Sequence, residues 1–285
     1  MTLAAVLTAA RLLDSKGAGL LERALDPLAH SVWPDVAWSF SGLTMGGGPV
    51  ELGFSTHDRI MRATLEVAGP ECPNPERLDA AVRLLRRLEL PEPTPARLSE
   101  WRTLQARQTL HFGCWIGLRM TDSGARGKLY VELPKSFVSP LPGAAAQMLG
   151  HDPANGITEF YGRIAHPTAG LMNHVLGSDA GAMLQMVADL VARPVSGLLN
   201  WLPMGLSAAT GPDNIPRHAL FLRARAVAGG AAQLRPRFAH HPGYRILLGG
   251  VPDHALPDHG ILTLVADGGG GVELRAAISP TALPK

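Results

Sequence analysis

Over much of the chain, apolar and polar residues alternate with period two. Between these runs, apolar residues recur every three to four positions. The alternating runs predict strands at approximately 50–56 with 60–68, 109–119 with 127–134, 157–165, 200–208, 217–227, 244–249, 261–267 and 272–279. Turn-forming residues stand at Thr56–Asp58, Asp122–Gly127, Thr210–Pro216 and Asp267–Gly271. Two helix starts are marked, at Asn74-Pro75 and Thr94-Pro95, where a capping side chain precedes proline at the first helical position. After the first, Leu78, Ala81, Val82, Leu85 and Leu88 share a face, and Arg83, Arg86 and Arg87 fall mostly elsewhere. Leu98, Trp101 and Leu104 continue the pattern after the second. A further helical stretch, rich in Ala, Leu and Met, is expected over roughly 168–192.

The rhythm is hairpin, helix, helix, hairpin, which is not the single-strand, single-helix alternation of a parallel α/β fold. About ten short strands need their edges hidden, and amphipathic helices need an apolar surface to cover. Together these predict an α+β fold: a closed antiparallel barrel of about ten strands surrounded by helices. Residues 1–285 are expected to form one such domain, with 1–46 as a helical segment packed on it.

Sorting each run by parity separates two faces. Leu129, Val131 and Leu133 oppose Lys128, Tyr130 and Glu132, while Leu220 and Leu222 oppose Arg217, Phe221, Arg223 and Arg225. An antiparallel sheet with one wet face gives the same alternation. Here, however, the polar faces mix arginine with Trp115, Tyr130, Phe221 and small residues. That mixture favours polar faces lining a lumen, with the helices outside. Arg62, Arg119, Lys128, Arg217, Arg223 and Arg225, with Arg163 and Arg275, would converge there. Enclosed cations are costly unless an anion compensates them, and the arginine fork suits phosphate oxygens. A phosphate or diphosphate ligand between aromatic walls is the expectation.

Composition narrows the classes. Of 285 residues 46% are hydrophobic and 18% charged, which excludes a disordered chain. A net charge of +2 predicts no nucleic-acid partner. Two cysteines, Cys72 and Cys114, make no disulfide framework. No basic leader precedes the first apolar stretch, and no run approaches the roughly 20 apolar residues of a membrane span. A soluble, cytoplasmic protein with no membrane partner is expected. The eleven histidines have neither HExxH nor CxxC spacing, so no metal site is predicted. No GxGxxG follows a strand, and no P-loop or GxSxG elbow occurs.

Glu51 in VELGFS and Arg62 in RATLEV stand eleven residues apart, and GKLYVEL supplies Lys128 and Tyr130. With the strand layout, these resemble the aromatic prenyltransferases of the ABBA type, most closely the indole, dimethylallyltryptophan synthase-like branch. That branch carries a glutamate and an arginine at this spacing, then Lys-x-Tyr, then Arg-x-Lys-x-Tyr. Arg217-x-Ala219-x-Phe221 keeps only the arginine of the last motif, with Arg223 and Arg225 offered in place of the missing cation. The tyrosines are Tyr130, Tyr161 and Tyr244 alone, fewer than the family uses to screen its reactive cation.

The resemblance implies an enzyme of secondary metabolism that moves an allylic prenyl group from a prenyl diphosphate to an aromatic, peptide or other electron-rich acceptor. It requires no metal or other cofactor. It makes Glu51 the catalytic residue. It gives the diphosphate to Arg62, Lys128, Tyr130, Arg217, Arg223 and Arg225, and the allylic cation and acceptor to Trp115 and Phe221. The alternative is a non-catalytic barrel that binds an anionic or lipid-like ligand. A third reading is an enzyme of another class on a similar closed sheet.

Overall fold

The computed structural model describes residues 7, 10–11, 15–29, 40–44, 47–106, 108–121, 124–164, 168–198, 204–210, 217–250, 252–253, 259–266 and 271–279. Residues 211–216 of the expected turn Thr210–Pro216, 267–270 of Asp267–Gly271, 122–123 of Asp122–Gly127, the start of the run 200–208 and much of the segment 1–46 lie outside them. In chain order the elements are α1 (Ser15–Ala29), β1 (Val50–Ser55), β2 (Met61–Glu66), α2 (Arg77–Arg87), α3 (Pro95–Gln105), β3 (Cys114–Thr121), β4 (Gly124–Glu132), β5 (Ala144–Asp152) and β6 (Ile157–Ile164). Then follow α4 (Ala169–Leu176), α5 (Ala180–Val191), α6 (Val195–Leu198), β7 (Met204–Thr210), β8 (Arg217–Arg223), α7 (Gly230–Phe238), α8 (Pro242–Leu248), β9 (Ile261–Ala266) and β10 (Val272–Ile278).

The ten strands form one closed barrel in which each pairs antiparallel with its sequence neighbour and β1 closes on β10, Leu52 opposite Ile278 and Ser55 opposite Arg275. Because successive strands run antiparallel, the links within the pairs β1–β2, β3–β4, β5–β6, β7–β8 and β9–β10 leave from and return to one end of the barrel. The connections between successive hairpins begin and end at the other; those from β2 to β3, β6 to β7 and β8 to β9 carry α2 to α8, and the one from β4 to β5 has no helix.

The outward strand faces are apolar: Leu65, Cys114, Ile116, Leu129, Leu220 and Leu264 are fully buried. The helices lie over them. On α1, Leu21, Ala24, Leu25 and Leu28 recur at helical spacing and are fully buried, and the helix packs on β2, β3 and β4. On α2, Leu78, Ala81, Val82 and Leu85 face β3 and β4, with Arg83, Arg86 and Arg87 exposed. The apolar core is therefore a sleeve between sheet and helices, and the polar strand faces are left to the interior. Each fully buried leucine in the sleeve contributes about 2 kcal/mol.

Several boundaries depart from the sequence pattern. The run 244–249 is helix α8, because Pro242 takes its first position and the His241 ring caps it by accepting from the Gly243 N–H at 3.1 Å. β5, AAAQMLGHD, was not predicted: it has no β-branched residue and is a strand because β4 and β6 pair with it on both sides. The helix over 168–192 is two helices, broken at Gly177, whose φ of +58° suits glycine. Thr94 caps α3 as expected, accepting from Arg97 N–H at 3.4 Å. Asn74 does not cap: its amide donates to the Leu110 carbonyl at 2.9 Å, and a 3₁₀ turn, Asn74–Glu76, leads into α2. β8 ends at Arg223, and Ala224–Ala226 is a 3₁₀ turn. Among the described residues no helix is long and apolar enough to cross a membrane.

Candidate active site

Alternation along the closed strands brings Arg62, Arg119, Lys128, Tyr130, Tyr161, Phe221 and Arg275 to the inner face. The register fixes their levels. Arg62 pairs with Arg119, which pairs with Arg126; Trp115 pairs with Tyr130, which pairs with Gly150, which pairs with Glu159. Glu51, opposite Thr64, lies two residues along β1 from Gly53, the partner of Arg62. That separates Glu51 from the arginines by about 7 Å along the strand, with Glu51 nearer the helical end.

Toward the turn end, the cations are paired with carboxylates. The Arg62 guanidinium donates to Asp58 from both terminal nitrogens, at 2.8 and 2.5 Å, and lies 3.8 Å from Glu273. Arg119 lies 3.5 Å from Asp58. Arg275 makes a bidentate pair with Glu273, both contacts at 2.7 Å, and Ser55 donates to the same carboxylate at 2.6 Å. Burial pushes the Asp58 and Glu273 carboxyls up, but the arginines outweigh it and hold both below the usual carboxylate range. Deeper, the Lys128 ammonium donates to Glu159 and, at 2.7 Å, to the Tyr161 hydroxyl. Tyr161 in turn donates to Glu159 at 2.6 Å, and Ser207 donates to its other oxygen. Burial alone would lower Lys128, but Glu159 overrides it and holds it above the usual lysine range. Burial would likewise raise Glu159, and Lys128 keeps it low instead.

Aromatic rings surround this ammonium. Lys128 Nζ is 5.3 Å from the Tyr130 ring centre and 5.2 Å from that of Tyr161. Tyr161 meets Tyr130 edge-on at 5.7 Å and Phe221 at 5.6 Å. Two glycines make the arrangement possible. A Cβ at Gly117 would sit 2.9 Å from the Tyr130 ring, and one at Gly150 would sit 2.9 Å from the Tyr161 ring.

Toward the helical end, Trp115 stacks on Phe112 at 3.8 Å and donates its indole N–H to Glu66 at 3.0 Å. Glu66 also pairs with buried Arg77 of α2 at 2.5 Å and accepts from Ser41. Glu132 fixes the loop carrying Phe112: it accepts from the backbone N–H groups of His111, Phe112 and Gly113 at 2.7–2.9 Å. Glu132→Ala leaves those three groups unsatisfied and is expected to cost about 2–4 kcal/mol by chemical denaturation. Glu132→Gln, which keeps an acceptor oxygen, should cost less.

Glu51 differs from the other carboxylates of the lumen. Among the described residues no hydrogen bond or ion pair reaches it, and the Gly260 backbone packs against it. Burial raises its carboxyl from 4.5 to about 7. Arg62 is not its partner, because Arg62 is engaged by Asp58 and Glu273.

The structure thus brings together Glu51, Arg62, Trp115, Lys128, Tyr130 and Phe221 inside one barrel, with Arg119 and Arg275. It does not bring the remaining cations to that cluster. Arg217 is exposed at the start of β8, two strands from Glu159 on the same rung, and Arg223 and Arg163 are exposed at strand ends. Arg225 does not continue the inward face of β8, because the strand ends at Arg223; it is exposed in the following 3₁₀ turn. Sequence reasoning missed Glu159, Tyr161, Asp58 and Ser207. The signal was available for the first two: Glu159 and Tyr161 share parity on β6. Surface recesses beside Arg102 and beside Arg83 lie outside the barrel and gather none of these groups. Among the described residues, no three His, Cys, Asp or Glu side chains are placed to hold a metal ion.

No protein-family profile matches the chain, and no curated protein matches it in sequence. Solved structures do match in fold. The chain is similar to 5-dimethylallyltryptophan synthase from Streptomyces coelicolor, at 17% identity over 98% of this chain and 97% of that one, TM-score 0.74. It is similar to 6-dimethylallyltryptophan synthase from Micromonospora olivasterospora, solved with DMASPP and Trp, at 16% identity over 97% and 96%, TM-score 0.68. The prenyltransferase PriB, in its apo form, matches at 15% identity over 99% and 98%, TM-score 0.71. Ten antiparallel strands closed on themselves, helices outside and polar side chains within, give this chain the fold of the ABBA prenyltransferase barrels.

Proposed function

We propose that the protein is a prenyltransferase that moves an allylic group from a prenyl diphosphate to an aromatic acceptor, in the cytoplasm and without a metal. The observation that carries this reading is the division of the lumen. An unpaired glutamate stands toward one end, the cations Arg62, Arg119, Lys128 and Arg275 toward the other, and aromatic rings lie between. Structures of the same fold solved with DMASPP and Trp, or with brevianamide F and DMSPP, support it.

In this reading Arg62, Lys128 and Tyr130 receive the diphosphate, with Arg275 and Arg119 beside them. Exposed Arg217 stands at the turn-end rim, and exposed Arg223 and Arg225 stand at the helical end, away from this cluster. The carbon–oxygen bond of the donor breaks and its electron pair leaves with diphosphate, whose charge is stabilised by donors already in place. The allylic cation lies against Tyr130, Tyr161 and Phe221. An acceptor ring carbon attacks it, and the ring then loses its proton to Glu51. Trp115, held by Glu66 and Phe112, forms the wall near the acceptor.

A second reading has its own support. Asp58, Glu159 and Glu273 already neutralise most of the lumen cations, which suits a barrel that carries a ligand without converting it. Incubation with dimethylallyl diphosphate and a panel of tryptophan, tryptophan-containing dipeptides and phenols separates the two. A product heavier than the acceptor by one dimethylallyl group supports transfer; diphosphate binding with no product across the panel supports the carrier.

A further inference from the structure

Lys128 reaches Glu159 by crossing the inner surface of β5, the strand between their own. It crosses at Gly150, where even a Cβ would come within 3.1 Å of the ammonium. Glu159 is held there from the other side by the Tyr161 and Ser207 hydroxyls. The carboxylate and the Tyr161 hydroxyl thus take two of the three ammonium hydrogens, and a phosphate group that pairs closely with Lys128 competes with Glu159 for its charge. Ser207 and Tyr161 stay available to it when the ammonium is taken. Glu159 can therefore be displaced from the lysine and keep two hydrogen bonds while it loses its counter-charge.

We propose that Glu159 is a built-in counter-anion of the diphosphate site, which the ligand displaces from Lys128 and which returns to it when diphosphate leaves. This rests on the donor-site reading above and adds a consequence for specificity. Bare diphosphate competes with a carboxylate of the same sign, so affinity must come in larger part from the prenyl tail against Tyr130, Tyr161 and Phe221. Product diphosphate, which has no tail, is released readily.

The test is calorimetric titration with inorganic diphosphate. Glu159→Gln keeps one acceptor oxygen in the same place and removes the charge, and should tighten binding about tenfold or more, since the ligand no longer has to displace a charged partner from the ammonium. Glu159→Met, neutral and of similar volume, should tighten it too. In a Lys128→Ala background the same substitutions should change affinity by less than about twofold, because the two groups act as one pair. Removing an exposed carboxylate far from the lumen, Glu92→Gln, should leave affinity at the wild-type value. Wild-type binding that neither Glu159 substitution tightens overturns the counter-anion and leaves the donor site standing. Equal tightening with and without Lys128 also overturns it. No binding by any variant overturns both.

Discussion

Glu51→Gln is expected to lower turnover by about 10²–10⁴-fold while leaving affinity for a dimethylallyl diphosphate analogue within about twofold. The separation follows from the geometry: Glu51 lies about two residues along the strand from the arginines and shares no partner with them. The amide fills the same space and cannot take a proton. A base with its carboxyl near 7 also sets the pH profile. Below about pH 6 the carboxyl is protonated and inactive, so kcat/KM should rise with pH, pass its midpoint near 7 and level off above. The glutamine variant should lose that limb.

The same group makes an independent prediction about stability. Its folded carboxyl sits above its unfolded value of 4.5, so the native state binds the extra proton. That favours folding fully below about pH 4.5 and is lost as pH rises through about 7. Above it, the wild type holds an uncompensated, poorly solvated carboxylate. Glu51→Gln should therefore be more stable than wild type at about pH 8, by as much as about 3 kcal/mol, and indistinguishable near pH 4. Denaturant titrations at the two pH values measure this. A glutamine variant that is destabilised at pH 8, or that loses donor affinity and turnover equally, makes Glu51 a structural residue.

Much of the barrel was legible because parity is a local property. Glu51, Arg62, Lys128 and Tyr130 could be placed on inner faces from alternation alone, since their hairpins are regular and their opposite faces uniformly apolar. Where alternation fails as a signal, so did the reading. Residues 144–152 are small and helix-tolerant, and only pairing with β4 and β6 makes them a strand. Residues 244–249 carry a strand-like apolar run, but a proline and a histidine cap turn them into helix. Arg225 was assigned by extending the parity of β8 two residues past its end. The larger gap concerned charge. Clustered cations implied an external anion, whereas Asp58, Glu159 and Glu273 supply much of the compensation from within. Parity says which side chains face the lumen; it does not say which of them touch, because that depends on the register of strands far apart in sequence.

Lys128→Ala should test that compensation most severely. Removing the ammonium leaves Glu159 in the barrel with only two hydroxyls, which soften the loss without neutralising it. Breaking a buried pair from one side costs about 3–5 kcal/mol, and Lys128, with a quarter of its side chain exposed within the barrel, belongs at the lower end. Affinity for diphosphate should fall in the same variant by about tenfold or more, beyond what an exposed lysine contributes. The stability loss has its own sign in pH. Glu159 is held low in the wild type by Lys128 and loses that hold in the variant, so its carboxyl takes up a proton more readily. The deficit should then be largest near neutrality and shrink as pH falls through the ordinary carboxylate range. Adding Glu159→Gln to Lys128→Ala should recover most of the stability, because it removes the stranded charge, yet recover no diphosphate affinity, because the cation is still missing. Recovery of both, or of neither, would mean that Lys128 and Glu159 do not act as the pair described here.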